Sequence, residues 1–239
     1  MERLRAKAVL FDAVGTLFGL RAPVGEIYLE RARLHGLETS DPDLARKLTE
    51  SFRRAFAAQG PLAFPNQPAD RIPALERAWW KSVVTATFSA FDRPRRFDAF
   101  FDDLYEFFGT AAGWRLDPDA HRVLEALRGG GMKIGLVTNY DSRVLDVLDS
   151  LGIRRLFDGV AVSTLVGAAK PDSLIFLNAC AALSCRPAEA VHVGDDYEED
   201  FQGASEAGLQ ALLFDPRGRT WDQGLPRICK LDELLEILL

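Results

Sequence analysis

Short apolar runs rich in β-branched residues recur along the chain, once near its start and four times in its second half. Runs of this length predict buried β-strands, and several precede segments with helical spacing of apolar positions, as at 142–151 and 173–183. Strands that alternate with helices favour an α/β fold in which helices cover a parallel sheet. The predicted strands are residues 8–11, 133–138, 159–162, 190–193 and 211–214.

Residues 18–113 show a different pattern, because they lack convincing strands and their apolar positions recur at helical spacing. Stretches that should end helices separate the periodic segments, among them Gly60-Pro61 and Asp92-Arg93-Pro94. The predicted helices are residues 24–35, 42–58, 72–91 and 95–108. We therefore predict a sheet-containing core formed by residues 1–17 and 114–239, with an all-helical insert at residues 18–113.

The chain has 239 residues, with 29 basic against 35 acidic side chains and a net charge of −6. This balance offers no basic surface for nucleic acid or for an anionic membrane, so we expect a small molecule as the partner. No run approaches the roughly 18 apolar residues of a membrane span, and the start shows no signal-peptide cleavage pattern. We expect a cytoplasmic protein.

Asp12 comes directly after the first predicted strand, at the edge where open parallel sheets bind their ligands. A carboxylate at this edge can act as a nucleophile through a covalent aspartyl intermediate. The turn that follows, through Gly15 and Thr16, could aim backbone amides at an anion. Taken alone, a turn acid or a helix-cap acid explains Asp12 equally well.

Two further candidates follow later strands. Thr138-Asn139 ends the second strand and could donate hydrogen bonds to phosphate oxygens, although a simple turn is the more frequent explanation of such a pair. Lys170 stands in the loop beyond the third strand, just before Pro171-Asp172 and a predicted helix. It could neutralise a nucleophile and an anionic substrate, or it could be solvated like most lysines.

The run 194–200 places five acids within six residues behind the fourth predicted strand. Such crowding favours a bound cation, and magnesium prefers hard oxygen ligands such as one or two of these carboxylates together with Asp12. The alternative is an acidic first helical turn, favoured by the helix dipole. That alternative accounts for Glu198 and Glu199, but less well for Asp195 at the strand exit.

In this order, the four segments resemble the motifs of the haloacid dehalogenase superfamily: Asp12-Ala13-Val14-Gly15-Thr16, Thr138-Asn139, Lys170-Pro171-Asp172 and Gly194-Asp195-Asp196-Tyr197-Glu198-Glu199-Asp200. The similarity spans essentially the whole chain. It implies a Rossmann-like parallel sheet flanked by helices, a helical cap of the first type and a magnesium-dependent hydrolase. Resemblance to the subgroup called haloacid dehalogenase-like hydrolase domain-containing protein 3 rests on Pro23-Val24-Gly25-Glu26, Phe64-Pro65-Asn66 and Trp79-Trp80.

The resemblance also implies roles for individual residues. Asp12 would be the nucleophile, Thr138 would bind the phosphoryl group, and Lys170 would hold the two together. From the residues themselves, we also expect substrate contacts from Asn139, Gly15 and Thr16. The magnesium ligands would be Asp12, the backbone carbonyl of Val14, Asp195 and Asp200, with Asp200 acting through water or from behind. The resemblance leaves the role of Asp196 open.

Val14 departs from the pattern of the family's phosphatases. They carry a second aspartate two residues after the nucleophile, which protonates the leaving group and later activates water, and this chain has Val14 there. Valine cannot transfer protons, a contribution of about 10²–10⁴-fold to the rate. The family's 2-haloacid dehalogenases also lack this acid, because halide leaves unprotonated. They work without metal, however, and have neutral side chains where this chain has Asp195.

We therefore expect a magnesium-dependent phosphatase that acts on a small phosphorylated substrate through an aspartyl-phosphate intermediate. The three carboxylates of the predicted metal site outweigh the single charge of Lys170 and would repel an anionic substrate without a divalent ion. The alternatives are a phosphate-binding or regulatory protein with impaired catalysis, and a 2-haloacid dehalogenase. Phosphonate hydrolysis would require a lysine of the insert to form a Schiff base, and neither Lys47 nor Lys81 stands out.

Residues of the insert are candidates for substrate recognition, because a cap that closes over the site would exclude water and select the substrate. Arg53-Arg54, Phe64 and Trp79-Trp80 could make such contacts, but packing and a solvated helix face explain them more simply. We expect His192, on the fourth predicted strand, to be packed rather than catalytic.

Overall fold

The computed structural model of the protein describes residues 4–218 and 224–239. Residues 1–3 and 219–223, which fall in the predicted core, lie outside this described part. The described residues form β1 (Ala8–Phe11), β2 (Phe18–Leu20), β3 (Trp114–Leu116), β4 (Lys133–Thr138), β5 (Gly159–Val162), β6 (Ala190–Gly194), β7 (Gln210–Phe214) and β8 (Arg227–Ile228). Six of these strands make one parallel sheet in the order β5-β4-β1-β6-β7-β8.

The five strands predicted from the sequence are all present in this sheet, so the predicted α/β class is confirmed. The helices are α1 (Val24–Leu34), α2 (Leu44–Ala58), α3 (Ile72–Thr87), α4 (Phe97–Phe108), α5 (Ala120–Gly129), α6 (Val144–Ser150), α7 (Ser163–Val166), α8 (Ser173–Ala182), α9 (Gly203–Glu206) and α10 (Glu233–Leu238), with a π-helix at Tyr197–Gln202. Among the described residues, no helix combines the length and the apolar character needed to cross a bilayer.

The central strand β1 is buried on both faces. Its side chains alternate between the two sides of the sheet, as the two-residue period of a strand requires. Val9 and Phe11 pack in the cluster that includes residues of α5, α6 and α10, whereas Ala8 and Leu10 pack in the cluster with α8 and α9. All four are fully buried. Helices on both faces therefore explain why the strand is a continuous apolar run rather than an alternating one.

Helices α1 to α4 form a separate apolar cluster of their own, the four-helix segment. Tyr28 of α1 lies near its centre, with ring contacts to Phe52, Phe88 and Phe100 at centroid distances of 5.6, 6.4 and 6.4 Å. α3 ends at Thr87, four residues before its predicted end. Residues 88–91 continue in single hydrogen-bonded turns and not as an α-helix. The positions of the four predicted helices are otherwise reproduced to within two residues.

The prediction that residues 18–113 are all helical is wrong at their first three residues. β2 pairs antiparallel with β3, with Phe18 opposite Leu116 and Leu20 opposite Trp114. A three-residue strand is too short to show a period, and this one depends on a partner almost a hundred residues away in the sequence. The resulting ribbon joins the points where the chain leaves and re-enters the sheet-containing part.

The register of the sheet determines which side chains meet at its carboxyl edge. Phe11 at the end of β1 lies opposite Leu136 of β4 and Val193 of β6. The next residues along these strands therefore reach the same edge, where Asp12 is level with Val137, one residue before Thr138, and with Gly194 at the end of β6. Ligands of open parallel sheets bind at this edge.

Candidate active site

Lys170 lies at the centre of the charged cluster, with only 4% of its surface exposed. Its ammonium donates hydrogen bonds to Oδ1 of Asp12 and to Oδ1 of Asp200, both at 2.6 Å. Asp12 follows β1, Lys170 precedes α8, and Asp200 lies in the π-helix. Three segments that are distant in sequence therefore bring their charges together at one edge of the sheet.

Burial and mutual charge shift the pKa values of these groups. Removal from water raises the pKa of Asp12 to about 7, an effect that Lys170 opposes and that Asp200 and Asp195 reinforce. Burial acts to lower the pKa of Lys170, but its two carboxylate partners outweigh burial and raise it. Burial acts to raise the pKa of Asp200, yet Lys170 and His192 outweigh it and hold that pKa far below its usual value.

A third carboxylate, that of Asp195, lies beside the other two at the end of β6. One oxygen from each of Asp12, Asp195 and Asp200 lies within 4.8 Å of the others. The second oxygen of Asp12, Oδ2, is buried and has no hydrogen-bond partner among the described residues. Gly15, at a φ of +106°, approaches so closely that a Cβ there would lie 2.3 Å from Oδ1 of Asp195. A glycine is therefore required here for both backbone conformation and space.

The acidic run after β6 forms a π-helix rather than an ordinary helical turn. The amide of Phe201 donates to the carbonyl of Asp196, five residues earlier, at 3.1 Å. The Asp196 carboxylate accepts from the amides of Glu198 and Glu199 at 2.9 Å, so Asp196, whose role the sequence left open, caps this helix. Its own amide donates to Oδ2 of Asp200 at 3.1 Å, which fixes the orientation of that carboxylate toward the site.

His192 is fully buried on β6, and its Nε2 lies 2.9 Å from Oδ1 of Asp200. Because the pKa of Asp200 is held low, we assign the proton of this hydrogen bond to Nε2. Burial lowers the pKa of His192, and a neutral ring protonated at Nε2 needs no donor at Nδ1, which has no partner among the described residues. His192 is packed, as expected, but it also orients the acid that holds Lys170.

The four predicted phosphate-binding residues differ in what they can donate. Thr138, the last residue of β4, is buried. The Thr16 hydroxyl is buried and has no partner within the described parts of the chain, so it remains a candidate donor. The amide of Gly15 donates to the carbonyl of Phe18 at 2.9 Å and is therefore engaged within its own turn. The contribution of Gly15 is to leave space for Asp195, not to bind an anion through its amide.

Asn139, the fourth of these residues, points toward the loop of Lys170. Its Oδ1 accepts from the amide of Lys170 at 2.7 Å, and its Nδ2 donates to the carbonyl of Lys170 at 3.0 Å and to Oε2 of Glu199 at 2.9 Å. A side-chain amide has two hydrogens, and both are used here. The expected contact between Asn139 and a substrate thus has no free donor in this arrangement.

Val14 follows Asp12 by two residues, with 37% of its surface exposed. It lies in the turn between β1 and β2, where it bridges to Phe18. The position that holds an acid in the family's phosphatases is thus open to solvent in this chain.

A buried glutamate joins the four-helix segment to the loop after β4 and to α7. Glu76 of α3 is 1% exposed and accepts from the amide and hydroxyl of Ser142, at 2.8 and 2.6 Å, and from the hydroxyl of Thr164 at 2.5 Å. One turn further, Nε1 of Trp80 donates to Asp141 at 2.6 Å. These bonds fix α3 over the loop that follows β4, and sequence reasoning missed them because only the tertiary fold brings the partners together.

The remaining candidates for substrate recognition in the four-helix segment differ in their exposure. Arg53-Arg54 is exposed on α2, and Trp79 is buried with Val83 in a small apolar cluster. Lys47 and Lys81 each form an ion pair with a nearby carboxylate of the same segment, at 2.7 and 2.8 Å. The ammonium groups of both lysines are thus engaged in ion pairs within this segment.

A parallel sheet with a charged cluster at its carboxyl edge is the arrangement in which open α/β sheets bind small ligands. A sequence model described as haloacid dehalogenase-like hydrolase matches residues 6–208. A relative from Mus musculus, haloacid dehalogenase-like hydrolase domain-containing protein 3, is 38% identical over 214 residues, which are 89% of this chain and 83% of the relative. The chain therefore belongs to the haloacid dehalogenase-like hydrolase family, and the resemblance stated from the motifs is confirmed.

Solved structures similar to this chain include proteins of two different activities. A HAD phosphatase from Thermococcus onnurineus is 26% identical, with a TM-score of 0.65 and coverage of 97% of both chains. A 2-haloacid dehalogenase from Pseudomonas syringae is 25% identical, with a TM-score of 0.64 and coverage of 99% of this chain and 98% of that one. The fold is common to both activities, so the residues of the site must distinguish them.

Proposed function

We propose that this hydrolase is a magnesium-dependent phosphatase that acts on a small phosphorylated substrate through an aspartyl-phosphate intermediate. The observation that carries the proposal is the cluster of Asp12, Asp195 and Asp200. Among the described residues, Asp12 and Asp200 share the ammonium that Lys170 supplies and Asp195 lies within reach of both, so carboxylates are in excess at this largely buried site. A divalent cation offsets that excess and allows an anionic substrate to approach.

The ligand chemistry of the cluster fits magnesium, which prefers oxygen donors. We assign Asp12 and Asp195 as direct ligands, because Oδ2 of Asp12 is buried without a hydrogen-bond partner in the described chain and Asp195 lies beside it. The family resemblance adds the carbonyl of Val14. Both oxygens of Asp200 accept hydrogen bonds, so we assign Asp200 a supporting role, in which it holds Lys170 and does not bind the metal directly. Bound magnesium would neutralise the cluster, lower the pKa of Asp12 and withdraw charge from the phosphoryl group.

The proposed reaction has two displacements at phosphorus. In the first, an Asp12 oxygen bonds to phosphorus while the bond to the leaving-group oxygen breaks. In the second, water attacks phosphorus, the bond to Asp12 breaks, and phosphate leaves with the carboxylate restored. Lys170 holds Asp12 in place and offsets charge on the phosphoryl oxygens, and the hydroxyls of Thr138 and Thr16 are the candidate donors to those oxygens.

Val14 determines which substrates this site can use. Without an acid at that position, the leaving group departs without a proton from the protein, and only groups that are stable as anions depart readily. Aryl and acyl phosphates are therefore the proposed substrate class, and alkyl phosphates should react slowly. The same absence slows attack by water on the aspartyl-phosphate.

A 2-haloacid dehalogenase is the second candidate, and Val14 is the observation that favours it, because halide needs no proton. The acidic cluster weighs against it, since Asp195 adds negative charge near the position of a haloacid carboxylate. A phosphate-binding or regulatory protein is the third candidate, in which the same site binds its ligand but turns it over poorly.

We also propose that residues 18–113 act as a cap over the site, with residues 1–17 and 114–239 as the core. The hydrogen bonds of Glu76 and Trp80 with the loop after β4 and with α7 support this division. A cap in this position would exclude water during the reaction.

Assays of phosphate esters and 2-haloacids, with magnesium and with a chelator, test the proposed function. We expect phosphate release from aryl and acyl phosphates that depends on magnesium. Halide release that is indifferent to the chelator would identify a dehalogenase instead. Binding of phosphate or its analogues without turnover of any ester would identify the binding protein.

A further inference from the structure

The main chain of Lys170 is bonded on both sides by a single side chain. Oδ1 of Asn139 accepts from the Lys170 amide, and Nδ2 of Asn139 donates to the Lys170 carbonyl, at 2.7 and 3.0 Å. This two-point contact fixes the position of the Lys170 backbone, from which the side chain extends to Asp12. Asn139 directly follows the last residue of β4. Its side chain therefore connects the loop of Lys170 to the end of a buried strand.

Glu199 fixes the orientation of that amide. Its Oε2 accepts the second Nδ2 hydrogen of Asn139 at 2.9 Å. If the Asn139 amide were rotated by half a turn, its Oδ1 would face the Glu199 carboxylate, and two acceptors would oppose each other. Glu199 is partly buried, and its own amide is held by Asp196 at the start of the π-helix. Neighbouring Glu198, by contrast, is exposed. Within one acidic run, the two glutamates thus occupy different environments.

The ammonium of Lys170 needs accurate placement, because it lies between two carboxylates at 2.6 Å from each. A displacement of the backbone by even one ångström would break one of these contacts or both. Burial leaves little water to compensate for a lost contact. The position of the Lys170 backbone therefore bears directly on how Asp12 is held.

We propose that Glu199 and Asn139 are positioning residues, which set Lys170 against Asp12 through the Asn139 side chain and do not contact the substrate. The proposal rests on the proposed phosphatase function only for its kinetic consequence. Its structural content is that loss of Glu199 displaces Lys170 from Asp12.

Glu199→Ala is the direct test, with Glu199→Gln as the conservative variant. The alanine removes the acceptor for Asn139, whereas glutamine retains an oxygen that can accept the same hydrogen. We expect Glu199→Ala to lower kcat by about tenfold with KM within about threefold, and Glu199→Gln to restore kcat to within about threefold of wild type. Glu198→Ala, which alters the adjacent exposed glutamate, is the matched control and should leave both constants unchanged.

Two measurements decide whether Glu199 acts through Lys170. In a Lys170→Met background, Glu199→Ala should produce little further loss of kcat, because the group being positioned is already absent. Crystal structures of the single Glu199 variants should show the Lys170 ammonium moved out of hydrogen-bond distance of Asp12 in the alanine variant and retained in the glutamine variant. The structural measurement needs no activity and serves if the Lys170→Met protein fails to fold.

Three results would overturn the proposal. They are a folded Glu199→Ala protein with wild-type kcat, an additional tenfold loss in the Lys170→Met background, and an unmoved Lys170 in the alanine crystal structure. Orthovanadate binding distinguishes failure of the positioning proposal from failure of the proposed phosphatase function. If the wild type hydrolyses no ester, the phosphatase proposal fails, yet Glu199→Ala should still displace Lys170 and weaken vanadate binding about tenfold relative to Glu198→Ala.

Discussion

Val14 offers a direct way to alter the chemistry of the site. Val14→Asp would place a carboxylic acid two residues after Asp12, where the family's phosphatases carry their proton donor. Because 37% of Val14 is exposed, the new side chain keeps contact with water, and we expect a structural cost near that of a surface substitution, about 0.5 kcal/mol. The nearby carboxylates of Asp12 and Asp195 would favour its protonated form, which a general acid requires.

The expected effect on the reaction rate is large. General acid–base catalysis contributes about 10²–10⁴-fold to a rate, which corresponds to about 3–5 kcal/mol of activation free energy. We therefore expect kcat/KM of Val14→Asp for alkyl phosphates to rise by about tenfold or more. Aryl phosphates should gain less, because their leaving groups already depart as anions.

Steady-state rates for a series of aryl and alkyl phosphates, at saturating magnesium, measure both effects. In the wild type the rate should fall steeply as the pKa of the leaving group rises, and Val14→Asp should flatten that dependence. Val14→Asn is the matched control, since it has a similar size and polarity but no proton to transfer. A folded Val14→Asp protein that binds magnesium and shows neither change would refute the reasoning.

Two further substitutions test the charged cluster. Asp195→Asn should weaken magnesium binding by about tenfold or more in calorimetry, whereas Glu198→Gln should change it less than about twofold, because Glu198 is exposed. Lys170→Met should destabilise the metal-free protein by about 3–5 kcal/mol in urea unfolding, because two buried carboxylates lose their shared cation. Combining Lys170→Met with Asp12→Asn should recover part of that loss.

Each of these expectations has a contrary result. Equal weakening by Asp195→Asn and Glu198→Gln would mean that the acidic run attracts magnesium only as diffuse charge. If Lys170→Met left the free energy of unfolding unchanged, water or protonation of a carboxylate would be compensating for the lost ammonium. The cluster would then be less enclosed than its burial indicates.

The central strands of the sheet could be predicted because burial on both faces makes them continuous apolar runs. β1 is buried throughout, and β4 is buried from Ile134 to Thr138. β2, β3 and β8 have only two or three residues each, which is too few for a period. Such strands are stabilised by a partner that lies elsewhere in the chain, and no local pattern predicts them.

The gathering of Asp12, Asp195 and Lys170 at one edge of the sheet could be predicted, because each acid directly follows an apolar strand and Lys170 stands in a recognisable motif. The role of the Asn139 side chain in holding the loop of Lys170 could not be predicted. Its amide orientation depends on the Lys170 carbonyl, 31 residues away in the sequence, and on Glu199, 60 residues away. Glu76 was missed for the same reason, since its partner Ser142 lies 66 residues along the chain. Motifs indicate which residues gather at a site, whereas hydrogen-bond direction follows from the folded backbone.

Trapping the covalent intermediate on Asp12 tests the central claim most directly. The wild type is mixed with an aryl phosphate and magnesium, quenched in acid within one turnover, digested and analysed by mass spectrometry. A phosphoryl group should be found on the peptide that contains Asp12 and should decay into free phosphate, slowly because Val14 cannot activate water. Asp12→Asn should form no adduct and release no phosphate. Phosphate release by Asp12→Asn at the wild-type rate, or a phosphoryl group trapped on another residue, would contradict the proposed mechanism.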